Sequence, residues 1–432
     1  MPEVTQVSNF VDFYQQQLVR SKDWFTVKAK VWNSIREITD AVEVSQRGAR
    51  FYFKKTQAGG HGNPSLSSPD LNRAIPSQSD SMWAVPQMYA IPLVIDILLL
   101  NDAGGAGGPK KAAAMFSIQD ILKDTTDVAA QRQEFYVLGD GTGALAYSSS
   151  SHAVVGAGLT LTCDTSADAT PGHTKGAVRL KQNQYYQSWD TTTGLPEGTF
   201  LVTSSNNKTQ ATITLLSGVI TSGNPITDVG SYQAVPMGIT GLIDDNNRIL
   251  QGRDTSVDTI LNVPTVDLNG NKFTVTDRET IKTMLVVLND EEGLRSNLTN
   301  ITTPGLMSDL RKQQFGFHRT QGAEAAVDIT KIYKDADGNR IIESVNYDED
   351  RSTWFSDILQ KHTELEFGDI SQMVDGLSWR NLPGVNSTGS RTFYRFWGCA
   401  WTLAITNTLA GATVKRASST GITRQVDVGM GN

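Results

Sequence analysis

Residues 48–96 have the sequence GARFYFKKTQAGGHGNPSLSSPDLNRAIPSQSDSMWAVPQMYAIPLVID: a strand pattern, a long polar segment and a second strand pattern. Apolar and polar side chains alternate through 49–57, which predicts a strand with an apolar face. Residues 58–81 are rich in Gly, Ser, Pro and Asn and cannot bury a core. In the return strand, Pro86 and Pro92 exclude a helix interior and favour an edge position. The stretch predicts a two-stranded ribbon with a long polar tip.

Such a ribbon needs a covering surface, because an isolated hairpin is only marginally stable in water. We therefore expect residues 1–45 and 46–88 to be ordered by other copies of the chain. Aromatic and basic side chains in these segments are our candidates for contacts between subunits, since Trp, Tyr and Arg are favoured at interface centres. The candidates are Arg20, Trp24, Trp32, Arg50, Phe51, Phe53, Lys54, Lys55 and Trp83. The sequence leaves open the alternative that each packs within its own subunit.

The composition indicates a folded chain with room for two or three domains: 432 residues, 39% hydrophobic and 19% charged. The longest apolar run, 91–100, is about half the length that crosses a bilayer, and 1–10 lacks a secretion signal. We therefore expect no membrane contact. Cys163 and Cys399 are far apart and form neither a disulfide framework nor a metal motif, which fits a reducing cytosol.

Charge is distributed unevenly along the chain. The formal net charge is −7, which argues against a general nucleic-acid binder, because such proteins neutralise phosphates with a basic surface. Residues 18–56 nevertheless contain nine Lys or Arg and four acidic residues. This basic arm is either a solvated face or a segment that lies on an acidic neighbour.

Helical periodicity recurs in several segments. Short amphipathic helices are predicted at 9–20 and 27–38. The clearest helix, at 117–138, starts with Ser117 and Asp120 in capping-box spacing. At 1.5 Å per residue it would be about 33 Å long, as long as a domain is wide.

β-structure is indicated in two further regions. Residues 147–235 are rich in Thr, Ser, Gly and Val with frequent turn signals, which predicts an inserted β-rich module with a hairpin at 199–215. Helix signals return at Thr276 and Glu279, a second pair in capping-box spacing. Aromatic and β-branched residues at 392–418 predict buried strands. The overall pattern predicts an α+β protein.

Reactive side chains do not form a catalytic or metal-binding pattern. The five histidines share no ligand spacing, and GxSxG does not occur. GDGTG at 139–143 follows a helix rather than joining a strand to one, so its backbone amides are not presented to a phosphate. The acidic run 348–350 is expected to be a solvated loop. We predict no catalytic, metal or cofactor site and no enzymatic activity.

The order of elements resembles that of the major capsid proteins of tailed double-stranded DNA bacteriophages, whose fold is named after phage HK97. The segment EFYVLGDGTG after the long helix, and the run LPEGTFLVTSSNNKTQATITLLSGVITSGNPI in the β-rich module, carry this resemblance. It covers nearly the whole chain. It implies an α+β, HK97-like capsid fold with an N-terminal arm at 1–45, an E-loop at 46–88, a peripheral domain at 89–146 with a spine helix at 117–138, the inserted module at 147–235, a mainly axial domain at 236–390 and return strands at 391–432.

The function that this resemblance implies is that of a phage head subunit, which assembles into hexamers and pentamers of an icosahedral shell around packaged DNA. The implied partners are other copies of the chain, a separate scaffolding protein, a portal, a decoration or cement protein, and genomic DNA through non-specific contact. The implied location is the virion capsid, assembled in the host bacterial cytoplasm. A net charge of −7 suits a container that must release its DNA.

Two alternatives accompany this interpretation. Some capsid proteins of the family join subunits covalently through an E-loop lysine, but Lys54 and Lys55 are ordinary soluble residues for an edge strand, so we predict no cross-link. A tail tube, sheath or baseplate protein would also repeat subunits with β-domains and arms. The long helix ahead of a glycine-rich turn favours the capsid.

Overall fold

We describe the fold from a computed structural model of the chain. The described residues are 20–41, 48–56, 78–96, 109–169, 174–205, 209–244, 248–289, 297–319, 338–356, 358–369 and 392–418. The predicted helix at 9–20, apart from its last residue, and most of the polar tip of the ribbon lie outside them. The predictions that remain are compared with the structure below.

Helices occur along the length of the described chain. In order they are α1 at 20–28, α2 at Lys30–Ile38, α3 at Pro109–Leu138, α4 at Ile239–Leu242, α5 at Val275–Asn289 and α6 at Pro304–Arg319. Single turns of 3₁₀-helix lie at Gly176–Arg179, Thr259–Leu261 and Thr408–Ala410. A mixture of helix and sheet was predicted, and it is confirmed.

The strands alternate with these helices. They are β1 at Asp40–Ala41, β2 at Ala49–Thr56, β3 at Gln78–Ala84, β4 at Gln87–Asp96, β5 at Ala146–Ser148, β6 at Gly156–Asp164, β7 at Tyr185–Trp189, β8 at Pro196–Ser204, β9 at Gln210–Gly218, β10 at Pro225–Asp228, β11 at Ile249–Leu250, β12 at Arg253–Asp254, β13 at Thr265–Asp267, β14 at Thr299–Thr302, β15 at Arg340–Glu343, β16 at Ser352–Phe355, β17 at Leu359–Asp369, β18 at Thr392–Ile405 and β19 at Gly411–Lys415.

Two compact units contain the described residues. The first lies within 1–37, 86–137 and 363–402, and the second within 38–85, 138–362 and 403–432. Neither unit is continuous in sequence, because the chain leaves each one and returns to it.

The first unit contains a sheet in which β18 lies between β17 and β4. β18 runs antiparallel to β4, from Trp401 opposite Gln87 to Thr392 opposite Asp96. β4 is therefore an edge strand, as its prolines predicted. Trp397 and Trp401 of β18 are fully buried, which confirms buried strands near the end of the chain.

Helix α3 packs on this sheet through its C-terminal half. The Gln133 side-chain oxygen accepts hydrogen bonds from Trp401 Nε1 at 3.1 Å and from the Cys399 thiol at 3.4 Å. The rings of Tyr89 and Tyr136 meet edge to face, with centroids 5.1 Å apart. A buried glutamine thus satisfies the indole N–H that a tryptophan brings into the core.

The N-terminal end of α3 differs from the prediction. The helix begins at Pro109, and Ser117 is an exposed residue inside it rather than its cap. Proline is favoured at the first helical position because its fixed φ suits a helix, and the lysines and alanines that follow are strong helix formers. The end at Leu138, before a glycine, is as predicted.

Helices α1 and α2 pack within the first unit. Phe25 stacks on Phe367 with ring centroids 3.9 Å apart, and Trp32 contacts Trp401 at 5.0 Å. Ile35 is completely buried. The expectation that other copies must order this arm is therefore wrong for its described residues, because their aromatic stripe is covered by their own chain.

The second unit contains a closed barrel in the order β10-β5-β6-β9-β8-β7. β10 closes it by pairing with both β5 and β7. Alternate residues of each long strand point inward, as the period of two requires. The fully buried inward side chains include Tyr186, Phe200, Val202, Ile213 and Leu215. The predicted hairpin is present as the antiparallel pair β8 and β9.

A five-stranded sheet, in the order β13-β19-β16-β14-β15, completes the second unit with α5 and α6. The cap of α5 is not at the predicted position. The Thr274 amide donates to the Asp277 carboxylate at 2.9 Å, and the Asp277 amide donates to Thr274 Oγ1 at 3.2 Å. This reciprocal pair lies two residues before Thr276 and Glu279, because the helix itself begins at Val275.

Candidate functional site

The ribbon formed by β2 and β3 is a separate two-stranded sheet, with β2 at nearly the predicted residues. Its register pairs Ala49 with Ala84 and Phe51 with Met82. One face is buried: Phe51 and Met82 are 4% and 1% exposed, and Phe51 clusters with Ala404 of β18. The alternation in the sequence predicted this apolar face, but not what covers it.

The base of the ribbon is anchored by the hairpin of β11 and β12. The Trp83 amide donates to the Gln251 carbonyl at 3.1 Å, and the Gln251 side chain donates to the Leu403 carbonyl at 2.9 Å. Arg253 donates to the Ser81 carbonyl at 3.0 Å and forms an ion pair with Asp80. The base therefore rests on its own subunit, contrary to our expectation. No local signal at 249–254 indicated this role.

The outer face of the ribbon is exposed. The Arg50 guanidinium lies 4.9 Å from the ring centroid of Tyr52 and 5.5 Å from that of Trp83. Tyr52 is 60% exposed. Arginine stacked on aromatic rings is typical of surfaces that bind other proteins. Arg50, Tyr52 and Trp83 thus form a cationic and aromatic group on the outer face of the ribbon.

The predicted contact residues thus separate into two groups. Trp32, Phe51 and Phe53 are at most 5% exposed, so the structure favours the alternative that they pack within their own subunit. Arg20 and Arg50 are exposed, and Trp24 and Trp83 are partly exposed. The side chains of Lys54 and Lys55 lie outside the described residues.

Trp24 links the arm to α3. Its indole Nε1 donates to the Asp127 carboxylate at 2.7 Å, and the ammonium groups of Lys28 and Lys123 lie 4.8 and 5.3 Å from the ring centroid. Further along the arm, the Val31 amide donates to the Glu134 carboxylate at 3.2 Å. These contacts hold α1 and α2 on α3.

A buried ion network joins the barrel to the five-stranded sheet in the second unit. Arg351 donates to Asp168 at 2.9 Å and lies 3.6 Å from Asp348 and 3.9 Å from Asp244. Lys415 forms an ion pair with Asp244. Carboxylates from three separate loops thus surround one guanidinium.

Two further cations from the barrel side complete the network. Arg179 donates to Asp348 at 3.0 Å, and Lys175 lies 3.1 Å from Glu349. The acidic run 348–350 is therefore not a solvated loop as predicted. The charges of Asp348 and Glu349 are compensated by cations about 170 residues earlier in the chain, which no local pattern reveals.

Burial and charge shift the pKa of two groups in this network. Burial raises the pKa of Asp350 to about 6; Arg351 opposes that shift, whereas Asp348 and Asp168 add to it. One Asp350 oxygen has no hydrogen-bond partner among the described residues. Burial alone would lower the pKa of Arg351, but the neighbouring carboxylates of Asp348 and Asp244 raise it. Arg351 therefore stays charged, and Asp350 is the weakly compensated member.

The described residues contain neither a cluster suited to a metal ion nor a reactive thiol. No group of three or more His, Cys, Asp or Glu among them is placed to hold a metal ion. Burial raises the pKa of the Cys163 thiol and raises that of Cys399 to about 12, so neither is a ready nucleophile. Among the residues that the structure describes, no helix is long and apolar enough to cross a membrane.

The polar groups of the glycine-rich turn after α3 form hydrogen bonds with nearby residues of the same chain. Asp140 accepts hydrogen bonds from the Thr142 amide at 2.9 Å and the Tyr147 hydroxyl at 2.7 Å. Gly141 has φ +88°, a conformation that glycine adopts without strain. The turn follows a helix, as the sequence indicated, and links α3 to the barrel.

Comparison with known proteins gives structural matches only. No family model and no curated protein matches the chain. A chain of the native GTA particle capsid is similar at 10% identity and a TM-score of 0.42, over 89% of this chain and 90% of that one. The Cyanophage A-1(L) capsid is similar at 9% identity and a TM-score of 0.46, over 90% of this chain and 93% of that one. The capsid of Myoviridae Phage XM1 is similar at 9% identity and a TM-score of 0.39, over 88% of this chain and 91% of that one. All three of these matched structures are capsids.

Proposed function

We propose that the chain is a major capsid subunit, which assembles into the hexamers and pentamers of an icosahedral shell around double-stranded DNA. The ribbon is the observation that carries this proposal. Its base is anchored in its own subunit, while its outer face presents Arg50, Tyr52 and Trp83 to solvent. The connecting sequence 57–77 has too few apolar residues to form a core, so a neighbouring copy is its natural support.

The segments take the roles of the HK97-like fold in this proposal. Residues 1–45 are the arm and 46–88 the E-loop; 89–146 form the peripheral domain, with α3 as the spine. The barrel is the module inserted at 147–235. Residues 236–390 are mainly axial domain, and 391–432 provide return strands.

The proposed role is structural rather than enzymatic. The partners are other copies of the chain, a separate scaffolding protein, a portal, a decoration or cement protein, and DNA held without sequence preference. The site of action is the virion capsid, after assembly in the cytoplasm of a bacterial host. A net charge of −7 supports a lining from which DNA is released.

Electron microscopy of the purified full-length chain, with and without its scaffolding protein, tests the proposal. Isometric shells, or separate hexamers and pentamers, are the expected result. Tubes or rings that stack into tubes would instead support a tail tube, sheath or baseplate protein. A chain that remains monomeric at high concentration with its scaffold would overturn both.

A matched pair of variants tests the ribbon itself. Tyr52 on the ribbon is 60% exposed and Tyr185 on the barrel is 57% exposed, so both can be truncated without opening a core. We expect Tyr52→Ala to weaken the contact between copies by about thirtyfold and so to reduce shell yield, because an aromatic anchor at an interface contributes about 2 kcal/mol. Tyr185→Ala should assemble normally. Equal yields from the two variants would exclude the ribbon face as a contact.

A further inference from the structure

The barrel has one wall whose outer face is uncharged. This face is formed by β6, β9 and β8, which are adjacent in the barrel and described in full. Inward and outward residues alternate along β8 and β9, and threonine predominates on the outside. The register places Thr160 beside Thr212 and Leu201 beside Thr214. We call this wall the uncharged face.

Ionisable side chains on these strands are engaged within the barrel itself. Asp164 is 3% exposed and accepts hydrogen bonds from the amide and hydroxyl of Thr174, both at 3.0 Å. Glu197 accepts from the Thr221 amide at 3.2 Å and from the Asn224 side chain at 2.7 Å. β9 contains no ionisable residue. Surfaces designed for solubility are given about 25–35% charged residues, so an uncharged wall is not what a surface that faces only water needs.

Exposed apolar side chains lie at one end of this face. Val154 and Val155 are 73% and 54% exposed, and Leu216 and Val219 are 46% and 38% exposed. Val154 and Val155 directly precede β6, Leu216 lies in β9 and Val219 follows it; Gly156 pairs with Leu215, so continued antiparallel pairing would place Val155 beside Leu216. Exposed apolar residues with an uncharged polar surround are typical of a protein contact surface.

The opposite wall differs in charge. β10 lies across the barrel from β9 in the strand order, with β7 beside it. Asp228 ends β10 and Asp190 follows β7, and neither is buried. Val229, next to Asp228, is 55% exposed and provides an apolar residue on the charged side of the barrel. The two walls can therefore be compared with one residue type at one exposure.

We propose that the uncharged face binds the same face of a second copy of the chain, barrel to barrel, around a two-fold axis. A surface that meets its own copy must be self-complementary, and an uncharged apolar and hydroxyl-rich face brings no like charges together. The chain as a whole is acidic, with a net charge of −7, so an uncharged face avoids the repulsion that acidic surfaces of two copies would have. The inference rests on the proposed function in that a shell brings identical barrels side by side.

Cross-linking of the full-length chain tests this contact. The variants Val155→Cys and Val229→Cys place one thiol at 54% and 55% exposed positions on opposite walls. Both native cysteines are buried, so they give little background. With a short bis-maleimide we expect a covalent dimer from Val155→Cys and none from Val229→Cys. The absence of a dimer from Val155→Cys, or equal dimer from both variants, overturns the proposal.

Two variants that each introduce a negative charge provide the second test. Val155→Asp brings two carboxylates together across the axis, and Val229→Asp adds the same charge to the other wall. We expect Val155→Asp to weaken self-association in sedimentation by about tenfold or more, and Val229→Asp to leave it unchanged. Amide exchange of the barrel strands verifies that both variants fold. Unimpaired association of folded Val155→Asp overturns the proposal.

These outcomes separate the barrel contact from the shell. Shells that form normally from Val155→Asp, with no Val155→Cys dimer, would remove the barrel contact and leave the capsid proposal intact. A Val155→Cys dimer from a chain that never closes a shell would support the barrel contact and remove the capsid proposal.

Discussion

Asp348 and Asp350 lie two residues apart in the ion network, but their surroundings differ. Asp348 accepts a hydrogen bond from Arg179 at 3.0 Å and lies 3.6 Å from Arg351. Asp350 is 7% exposed, and one of its oxygens has no hydrogen-bond partner among the described residues. Neutralising these two carboxylates should therefore change stability in opposite directions.

We predict that Asp350→Asn stabilises the second unit at pH 8. The pKa of Asp350 is raised to about 6 in the folded chain, so folding favours its protonated form. That contribution is present at low pH and is lost as the pH rises through about 6. An asparagine stays neutral throughout and should gain roughly 2 kcal/mol at pH 8. Urea unfolding of dissociated subunits should show this gain shrinking toward pH 4; a less stable variant at pH 8 would contradict it.

Asp348→Asn should have the opposite effect. It leaves Arg179 and Arg351 without a carboxylate that both of them approach. Removing one partner from a largely buried ion pair costs about 3 kcal/mol, because the remaining charge is uncompensated. The same urea experiment at pH 8 measures the loss, with Asp350→Asn as the control. Equal stability of Asp348→Asn and the parent chain would argue against the network as described.

At the scale of elements, the caps and anchors decide where structure begins. The cap of α5 is the reciprocal pair of Thr274 and Asp277, while Thr276 lies inside the helix and is exposed. The ribbon depends on its buried inner face and on the hairpin of β11 and β12. A single substitution can test each of these local features.

For the cap, we predict that Thr274→Ala destabilises the second unit by about 1 kcal/mol, because it leaves an amide at the start of α5 without its acceptor. Thr276→Ala is the matched control, and it should change stability by less than about 0.5 kcal/mol. Denaturant unfolding of both variants measures the difference. A larger loss of stability from Thr276→Ala than from Thr274→Ala would identify Thr276 as the cap, as the sequence predicted.

For the ribbon, Phe51→Ala should detach the inner face of β2 and β3 from the residues that cover it, among them Ala404 of β18. Phe51 is 4% exposed, and truncating a buried phenylalanine costs about 3–5 kcal/mol. Tyr52→Ala, on the opposite face, should cost less than about 1 kcal/mol. Hydrogen exchange of the two strands distinguishes these results: fast exchange is expected for Phe51→Ala alone. Unchanged protection in Phe51→Ala would show that the backbone anchors suffice.

Sequence periodicity located the elements well and their ends less well. Alternation at 49–57 and the long helical repeat before Gly139 follow from local side-chain pattern, and both are present. The start of α3 was placed too late, because Ser117 resembles a cap while Pro109 begins the helix. A capping residue is recognised by the amide it accepts from, and spacing alone does not identify that amide.

At the scale of the whole molecule, the contacts that define the candidate site are long-range. Arg253 binds Asp80, and Arg351 binds Asp168, across 173 and 183 residues of sequence. Single-sequence pattern carries no information on such pairs, so the anchoring of the ribbon and the burial of 348–350 could not be predicted. The α+β class could, because it depends only on local periodicity.

Assembly should also raise the stability of the subunit. A partner that binds only the folded chain shifts unfolding by mass action. We predict that subunits in closed shells unfold at a higher temperature than dissociated subunits of the same chain, by calorimetry at equal protein concentration. Folded Val155→Asp subunits should give the lower value. Coincident transitions would mean that contacts between copies add nothing to stability.

The closure of the barrel has a consequence for synthesis. An open sheet ends in rows of unpaired amides and carbonyls, which act as templates for strands of other molecules. Because β10 pairs on both sides, the barrel offers no such row. A chain made in many crowded copies would thereby keep this large β-domain out of fibrous aggregates while its intended contacts form.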